Sequence, residues 1–145
     1  MILSVYSSTC IEDVKQAAPE GLRWSQLQMF KDRDLVRNLV RRAEGAGYRA
    51  LVLTVDMPVA GNEIPRAKNS FTIPEGLRCV KYANFKGILN SGYTVPNSPL
   101  FKKRGLIDPS QTWDDVSWLI SFTKLPVVLK GITTGADHFH SLTRH

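Results

Sequence analysis

The sequence predicts an α/β fold built on a parallel β-sheet, and three observations support this. Short apolar segments alternate with segments of helical periodicity, which is typical of βαβ units. Two apolar segments, RALVLTV at residues 49–55 and LPVVLK at residues 125–130, are nearly continuous, as strands covered on both faces are. Three predicted helices begin with a capping box of the form Thr-x-x-Glu or Thr-x-x-Asp.

The first strand, the first helix and the second strand occupy the opening 29 residues. Residues 2–6 are a short apolar run, which predicts a strand. Thr9 and Glu12 have the spacing of a capping box, which predicts a helix to about residue 18. Residues 22–29 alternate as a half-buried strand does. One face of this strand carries Trp24, Gln26 and Gln28, and the other carries Leu27 and Met29.

The second helix and the third strand follow at once. Asp32 is placed to cap a helix, and apolar residues recur with helical period to about Ala46. Gly45 and Gly47 are typical of a helix end. Residues 49–55 then form a buried strand that ends at Asp56.

Residues 57–111 break this alternation, because prolines and glycines interrupt them repeatedly. We predict one long connection there, with a short strand or helical turn near residues 71–82. Thr112 and Asp115 open a helix to about residue 122, and residues 125–130 form the fourth strand. A third capping box, at residues 134–137, announces a helix that we expect to have no room to develop.

Two architectures fit four strands alternating with helices: a (β/α)₈ barrel and an open doubly wound sheet. No GxGxxG or GxxxxGK loop follows a strand, which counts against a nucleotide-binding open sheet. A complete barrel needs about 250 residues. The 145 residues present would supply about half of one, so we expect a fragment at both ends.

The composition excludes several classes of protein. Hydrophobic residues make up 43% and charged residues 22%, as in an ordinary globular domain. No apolar run approaches the roughly 18 residues of a membrane span, and the first residues lack the basic leader of a secretory signal. Cys10 and Cys79 lie in no metal-binding spacing, so we interpret them as structural thiols.

The net charge of +6 favours anionic partners, but the basic residues are scattered. We therefore prefer a solvated basic face over nucleic-acid binding. The three histidines, His138, His140 and His145, lie close together in the chain, and we interpret them as part of an aberrant tail rather than as metal ligands.

Polar residues collect at the carboxyl ends of the predicted strands, where α/β folds place their chemistry. They are Ser4 on the first strand, Gln26 and Gln28 on the second, Thr54 and Asp56 on the third, and Lys130 on the fourth. Residues two apart point to the same side of a strand, which inside a barrel is the interior. We predict that Ser4, Gln26, Thr54, Asp56 and Lys130 surround a shared hollow.

Lys130 ends an otherwise apolar strand, and two interpretations of it stay open. A buried ammonium would require an anionic neighbour, either a carboxylate such as that of Asp56 or a bound anion. Alternatively, Lys130 lies at the mouth of the strand and reaches solvent. Asp56 has a plainer interpretation too, as the residue that starts the loop before Met57 and Pro58.

Four segments resemble one family, the FMN-dependent 2-hydroxy-acid oxidases, or glycolate oxidase family. They are LSVYSSTCIEDV, SQLQMFKDRDLVRNLVRRAEGAGYRALVLTVDMPVAGN, QTWDDVSWL and LPVVLKGI. The resemblance is to the central part of the family and covers residues 1–137, whereas residues 138–145 no longer follow it. The segment AAPEGLRW resembles the long-chain 2-hydroxy-acid oxidases in particular.

The resemblance implies a partial (β/α)₈ TIM barrel of about four βα units, with a long loop after the third strand and FMN at the mouth. The family oxidises 2-hydroxy acids to 2-oxo acids and passes electrons to oxygen, giving peroxide. The family's flavin-contacting positions fall on Ser4, Gln26, Thr54 and Lys130. Its aspartate that orients the catalytic histidine falls on Asp56.

The chain departs from the family pattern at two site positions. The family's active-site tyrosine is Gln28 here, and an arginine that binds the substrate carboxylate is Glu63, which reverses a charge. Nearby Arg66 is a candidate to compensate. The catalytic histidine, a second arginine and the flavin-phosphate loop belong to later strands of the family.

Because those later groups are missing, we expect this chain alone to be inactive. The alternative is a non-catalytic truncated product or an interaction module that self-associates through open strand edges. The family implies a small 2-hydroxy carboxylate substrate and oxygen. From the sequence we also expect a homo-oligomer, with no nucleic acid and no membrane. The family also implies a peroxisomal location. The ending Leu-Thr-Arg-His is not an SKL-type signal, so a cytoplasmic location is the alternative.

Overall fold

A computed structural model of the chain describes residues 1–59, 64–69, 84 and 106–142, with the backbone alone for Arg66, Ala67 and residues 140–142. The strands are β1 (Ile2–Leu3), β2 (Trp24–Gln28), β3 (Ala50–Thr54) and β4 (Val127–Lys130). The helices are α1 (Ile11–Ala17), α2 (Arg33–Gly45), α3 (Ile64–Lys68), α4 (Trp113–Phe122) and α5 (Gly135–Leu142).

The strands form one parallel four-stranded sheet in the order β1-β2-β3-β4. Each strand therefore lies beside its neighbour in sequence, with helices α1 and α2 in the connections between the first three strands. The predicted α/β fold with parallel strands and about four βα units is confirmed. The observed strands are shorter than the predicted ones: β1 has two residues rather than five, and β2 has five rather than eight.

The apolar core lies between the sheet and the helices on its outer face. Leu27, Leu51 and Leu53 project from β2 and β3 into this layer, and each is 2% exposed or less. Helix α2 presents its apolar stripe to them, namely Leu35, Val36, Leu39, Val40 and Ala43. The 3.6-residue period of this stripe is what the sequence predicted for the segment.

The predicted caps of α2 and α4 are present, whereas the cap of α1 differs from the prediction. Asp32 accepts hydrogen bonds from the N–H groups of Asp34 and Leu35, and Thr112 forms a complete capping box with Asp115. Helix α1 begins one residue later than predicted, because Cys10 rather than Thr9 is its N-cap. The Cys10 Sγ accepts from Asp13 N at 3.4 Å.

The fourth helix start corrects an expectation. Helix α5 does develop, over eight residues. Thr134 Oγ1 accepts from Asp137 N at 3.1 Å, which satisfies one of the free N–H groups of the first turn.

The long connection after β3 is described in part. It contains α3, a helix of five residues that the sequence did not predict. Its far end returns to the sheet, where Phe30 and Ile107 form an antiparallel bridge. The strand or turn predicted near residues 71–82, and Cys79 with it, lie outside the described residues.

In the part of the chain that the structure describes, every helix is too short or too polar to cross a membrane.

Candidate functional site

The carboxyl ends of β2, β3 and β4 place three polar side chains side by side. Gln28 is the register partner of Thr54, and Thr54 is the register partner of Lys130. Register partners in a parallel sheet point to the same side, and here that side is the inner face, opposite the helices. Gln28 is 3% and Thr54 is 7% exposed, whereas the Lys130 side chain is 57% exposed. We call Gln28, Thr54 and Lys130 the strand-end row.

Gln26 lies on the same face and connects the row to β1. Its Oε1 accepts a hydrogen bond from Val5 N at 3.0 Å. Its Nε2 donates to Leu27 O at 3.0 Å and to Thr54 Oγ1 at 3.1 Å. Both amide hydrogens are thereby used, and the Thr54 hydroxyl, which accepts here, keeps its own proton to donate.

Lys130 has the anionic neighbour that its position calls for. Its Nζ lies 3.2 Å and 3.4 Å from the two carboxylate oxygens of Asp56. Both side chains are also exposed, Lys130 by 57% and Asp56 by 41%, so each of the two interpretations of Lys130 is correct in part. Such a pair contributes at most about 1 kcal/mol to stability, because water screens it.

Gly131 brings Asp56 and Lys130 together, although sequence reasoning did not single it out. Its φ of +110° is unfavourable for any residue with a side chain. A Cβ at this position would lie 2.4 Å from the Cβ and 2.9 Å from the backbone N of Asp56. The neighbouring backbone is tied by a hydrogen bond from Val55 N to Lys130 O at 2.9 Å. Gly131 is therefore required for the close approach of these two loops.

Tyr6 is a second residue that sequence reasoning missed. Its hydroxyl donates to Gln28 Oε1 at 2.7 Å, so the side chain of Gln28 is oriented with its Nε2 turned away from Tyr6. The ring of Tyr6 packs edge-on against Phe30, with centroids 6.3 Å apart. The available signal was the spacing of two between Ser4 and Tyr6 at the end of β1.

Ser4 and Glu63 stand apart from the other candidates. Ser4 is exposed, and its Oγ accepts from Tyr6 N at 3.2 Å within the same turn. No hydrogen bond joins Ser4 to Gln26, Thr54 or Lys130 within the described residues. Glu63 lies outside the described residues, and so does the side chain of Arg66.

A cavity of about 480 Å³ lies on the other side of the strand ends, toward the helices. Its walls include Leu53 and Val55 of the outer face and the first turn of α4, and Asp56 and Gly131 stand at its border. Asp56, the ion-pair partner of Lys130, therefore lines the cavity, whereas the strand-end row lies on the opposite face of β3. We take the row as the candidate site, because the polar groups converge there.

Among the described residues, the side chains with displaced pKa values lie away from the row. Hydrogen bonds from Arg42 lower the pKa of Glu12 to about 2, and hydrogen bonds from Ser110 lower the pKa of Asp108. Burial raises the pKa values of Cys10 and Tyr48. Within the described ranges, no group of three or more His, Cys, Asp or Glu side chains is arranged to hold a metal ion.

Comparison with known proteins identifies the family. A family model described as FMN-dependent dehydrogenase matches residues 1–142. The chain belongs to this family. Flavin mononucleotide is therefore the cofactor of its family. The predicted boundary after residue 137 stays a prediction, although the matched segment continues to residue 142.

Curated relatives agree with this assignment. The chain is 43% identical over 139 residues to 2-hydroxyacid oxidase 1 of Mus musculus and 42% identical over 141 residues to L-lactate oxidase of Nostoc. Each match covers 94% of this chain but 38% of the relative, so the chain spans less than half the length of these proteins. The resemblance of the chain to the long-chain type of 2-hydroxy-acid oxidase stays a prediction.

Solved structures share the fold. An active chimera of (S)-mandelate dehydrogenase superimposes with a TM-score of 0.81 and 27% identity, over 99% of this chain and 40% of that one. A mandelate oxidase variant with (S)-mandelic acid gives a TM-score of 0.76 and 32% identity, over 99% and 35%. The neighbours are TIM-barrel flavoenzymes, so the four strands are part of an α/β barrel, as predicted.

Proposed function

We propose that this chain contributes the flavin-holding strands of an FMN-dependent oxidase that converts (S)-2-hydroxy acids to 2-oxo acids with release of peroxide. The observation that carries the proposal is the hydrogen bond from Gln26 Nε2 to Thr54 Oγ1, beside the row that continues to Lys130. These groups lie at the carboxyl edge, where α/β barrels bind ligands. The names of the relatives, which are 2-hydroxyacid, L-lactate and glycolate oxidases, support the substrate class.

The donors at the site fit a flavin ring, whose polar edge carries carbonyl oxygens and ring nitrogens. Thr54 has a hydroxyl proton that the hydrogen bond from Gln26 leaves free to donate. Lys130 is half exposed, and its ammonium has three protons, more than the contact with Asp56 needs. When bound, FMN would supply the acceptor for the two electrons removed from a 2-hydroxy acid.

Each candidate residue has a role in this proposal. Lys130 would favour the negatively charged reduced form of a bound flavin, and Thr54 would donate a hydrogen bond to it. Gln26 orients Thr54, and Ser4 approaches the ring from the end of β1. These are binding roles rather than catalytic ones.

The other three residues concern the substrate side. Asp56 neutralises Lys130 in this structure and, in the role that the resemblance implies, holds the N–H of an imidazole. Gln28 stands where the family has tyrosine, and its Nε2 is directed to donate because Tyr6 binds its Oε1. Glu63 would lie beside the substrate carboxylate, where its negative charge opposes binding.

FMN titration tests the proposal. Quenching of flavin fluorescence by the chain should be weak but saturable, and Lys130→Met should raise the dissociation constant roughly tenfold, because a charge-assisted contact is lost. Lys124→Met removes an equal charge from an exposed lysine away from the site and should leave the constant unchanged. The proposal is wrong if the unsubstituted chain does not quench saturably, or if both variants bind equally.

We expect no turnover by this chain alone, because the resemblance assigns the proton-abstracting histidine to later strands. Peroxide release on addition of glycolate or 2-hydroxyoctanoate would contradict this expectation. A peroxisomal location is proposed from the family alone, and a homo-oligomer from the sequence. A fluorescent fusion of the chain that stays diffuse in the cytoplasm would contradict the peroxisomal location. A monomer in sedimentation would contradict the homo-oligomer.

A second candidate is self-association, favoured by the open inner face of the described sheet. Ile2 on β1 and Val128 on β4 are 53% and 40% exposed, and each of these strands has one neighbour in that sheet. Exposed strand edges invite pairing with another chain. Sedimentation equilibrium should then show a dimer that Val128→Lys weakens, and a concentration-independent monomer would exclude this candidate.

A further inference from the structure

Asn84 is a residue of the long connection whose side chain is completely buried, at 0% exposure. Its Oδ1 accepts from Ile11 N at 2.9 Å, and its Nδ2 donates to Val5 O at 3.2 Å. Its backbone carbonyl accepts from Arg42 Nη1 at 2.5 Å. Both ends of the carboxamide thus have partners in the loop that joins β1 to α1.

The requirement for asparagine follows from these partners. The side-chain oxygen of Asn84 faces a donor, the Ile11 N–H, and the side-chain nitrogen faces an acceptor, the Val5 carbonyl. Aspartate would place an oxygen against the Val5 carbonyl, and an aliphatic residue would leave both groups unpaired. A buried polar group without a partner is strongly unfavourable.

The contact with Val5 continues into the candidate site as a chain of hydrogen bonds. Asn84 Nδ2 donates to Val5 O, Val5 N donates to Gln26 Oε1 at 3.0 Å, and Gln26 Nε2 donates to Thr54 Oγ1 at 3.1 Å. Val5 itself is 4% exposed. A residue remote in sequence is therefore connected to Thr54 through two intermediates.

We propose that Asn84 is a positioning residue that sets the orientation of the Gln26 carboxamide, and through it the direction of the Thr54 hydroxyl. A carboxamide can turn over and exchange its oxygen and nitrogen. The Val5 N–H, together with the Leu27 carbonyl that accepts from Nε2, selects the orientation with oxygen toward Val5. In the reversed orientation, the Gln26 oxygen would face Thr54 and accept a hydrogen bond from its hydroxyl. Asn84 thus keeps that proton available to a ligand; its relevance to flavin rests on the proposed function.

The position of Asn84 is held from the opposite side by an ion pair. Arg42 binds Glu12 through two contacts, Nε to Oε1 at 2.8 Å and Nη2 to Oε2 at 2.7 Å, while its Nη1 binds the Asn84 carbonyl. Glu12 lies in the first turn of α1, next to Ile11. Helices α1 and α2 therefore both contribute to the site that receives Asn84.

The test compares Asn84→Asp with Tyr48→Phe in the full chain. Tyr48→Phe is the matched control, because the Tyr48 hydroxyl donates to Ile11 O at 3.2 Å and so supports the same loop without contacting Val5. The first readout is the NMR signal of the Gln26 side-chain amide. It should move in Asn84→Asp and stay in place in Tyr48→Phe. The second is the FMN dissociation constant, which we expect Asn84→Asp to raise roughly fivefold to tenfold.

Two results would overturn the proposal: an unmoved Gln26 signal in Asn84→Asp, or equal displacement in the control. The NMR readout needs no flavin, so failure of FMN to bind would affect the proposed function and leave this inference testable. If Asn84→Asp does not fold, the unsubstituted chain still decides. The Asn84 side-chain protons should exchange slowly with solvent and show coupling to the Val5 carbonyl, and fast exchange would refute the contact.

Discussion

The outer and inner faces of the sheet differ in how fully their side chains are covered. On the outer face, Leu27, Leu51 and Leu53 are 2%, 1% and 1% exposed beneath the helices. On the inner face, side chains become exposed between β3 and its neighbour β4. Val52 is 3% exposed, whereas its register partner Val128 is 40% exposed. The outer face is therefore covered at β2 and β3, and the inner face is covered near β2 and β3 but open at β4.

The two faces also differ in how their polar groups are used. On the helix side, Arg33 binds Asp108 at 2.7 Å and Asp115 at 2.6 Å, and its guanidinium lies 5.7 Å from the ring of Trp118. On the inner face, Gln28 Nε2 and the Thr54 hydroxyl proton have no acceptor within the described residues. The outer layer commits its groups to the fold, whereas the inner layer leaves these two donors without an acceptor among the described residues.

The largest effect should come from the outer face. Leu53→Ala removes a side chain that is 1% exposed and leaves a cavity in the main core, which should lower the free energy of unfolding by about 2–5 kcal/mol. Val128→Ala is the control on the open inner face and should cost less than about 1 kcal/mol. Urea denaturation measures both. Equal losses would contradict the difference between the faces.

The second-largest effect is expected at Gly131, at the border between the two faces. Gly131→Ala places a methyl group 2.9 Å from the backbone N of Asp56 at a φ of +110°, so the two loops must separate. We expect a loss of about 1–3 kcal/mol in stability, together with separation of Asp56 from Lys130. Gly45→Ala is the matched control, because a Cβ there meets nothing within 4 Å. It should be neutral or slightly stabilising in thermal unfolding, and a similar loss in both variants would refute the close-approach argument.

A smaller effect is expected at Tyr6 on the inner face. Tyr6→Phe keeps the ring against Phe30 but removes the donor to Gln28 Oε1, which should cost about 1 kcal/mol and free the carboxamide to turn. The NMR signal of the Gln28 side-chain amide should move, while that of Gln26 should not. Gln28→Leu in the Tyr6→Phe background should recover stability, since both partners are then apolar. No recovery would show that the two residues are not coupled.

The fold was predictable from the sequence because local patterns determine it. The apolar period of α2, the continuous strands β3 and β4 and the caps Asp32 and Thr112 all depend on residues a few positions apart. The start of α1 was mispredicted by one residue. Thr9 N is bound by Ser7 Oγ at 3.0 Å in the preceding turn, and Cys10 takes the capping position.

The site was predictable only where its residues lie at strand ends. Gln26, Thr54, Asp56 and Lys130 follow from that rule, and the structure brings them into contact pairwise. The supporting residues act across long separations, 22 positions for Tyr6 with Gln28 and 79 for Asn84 with Val5. No spacing rule connects such pairs, because their proximity is a product of the folded sheet.

The smallest expected effect lies outside both faces, in the pair of Glu12 and Arg42. Hydrogen bonds from Arg42 lower the pKa of Glu12 from its ordinary 4.5 to about 2. The folded state therefore favours the charged form. The stability from this pair is present above about pH 4.5 and is lost as the pH falls toward 2. Because the Glu12 side chain is 49% exposed, water screens the pair and the loss should stay below about 1 kcal/mol.

Acid unfolding of the Glu12→Gln variant measures the contribution of this ion pair to stability. The variant should be slightly less stable than the unsubstituted chain at neutral pH and equal to it near pH 2, so the two curves converge as Glu12 protonates. Arg37 and Asp34 form a more exposed pair at 3.2 Å, and Asp34→Asn should change the curve less. Parallel curves for Glu12→Gln and the unsubstituted chain would mean that the pair adds nothing to the attachment of α1 to α2, and that Asn84 is held by its own hydrogen bonds.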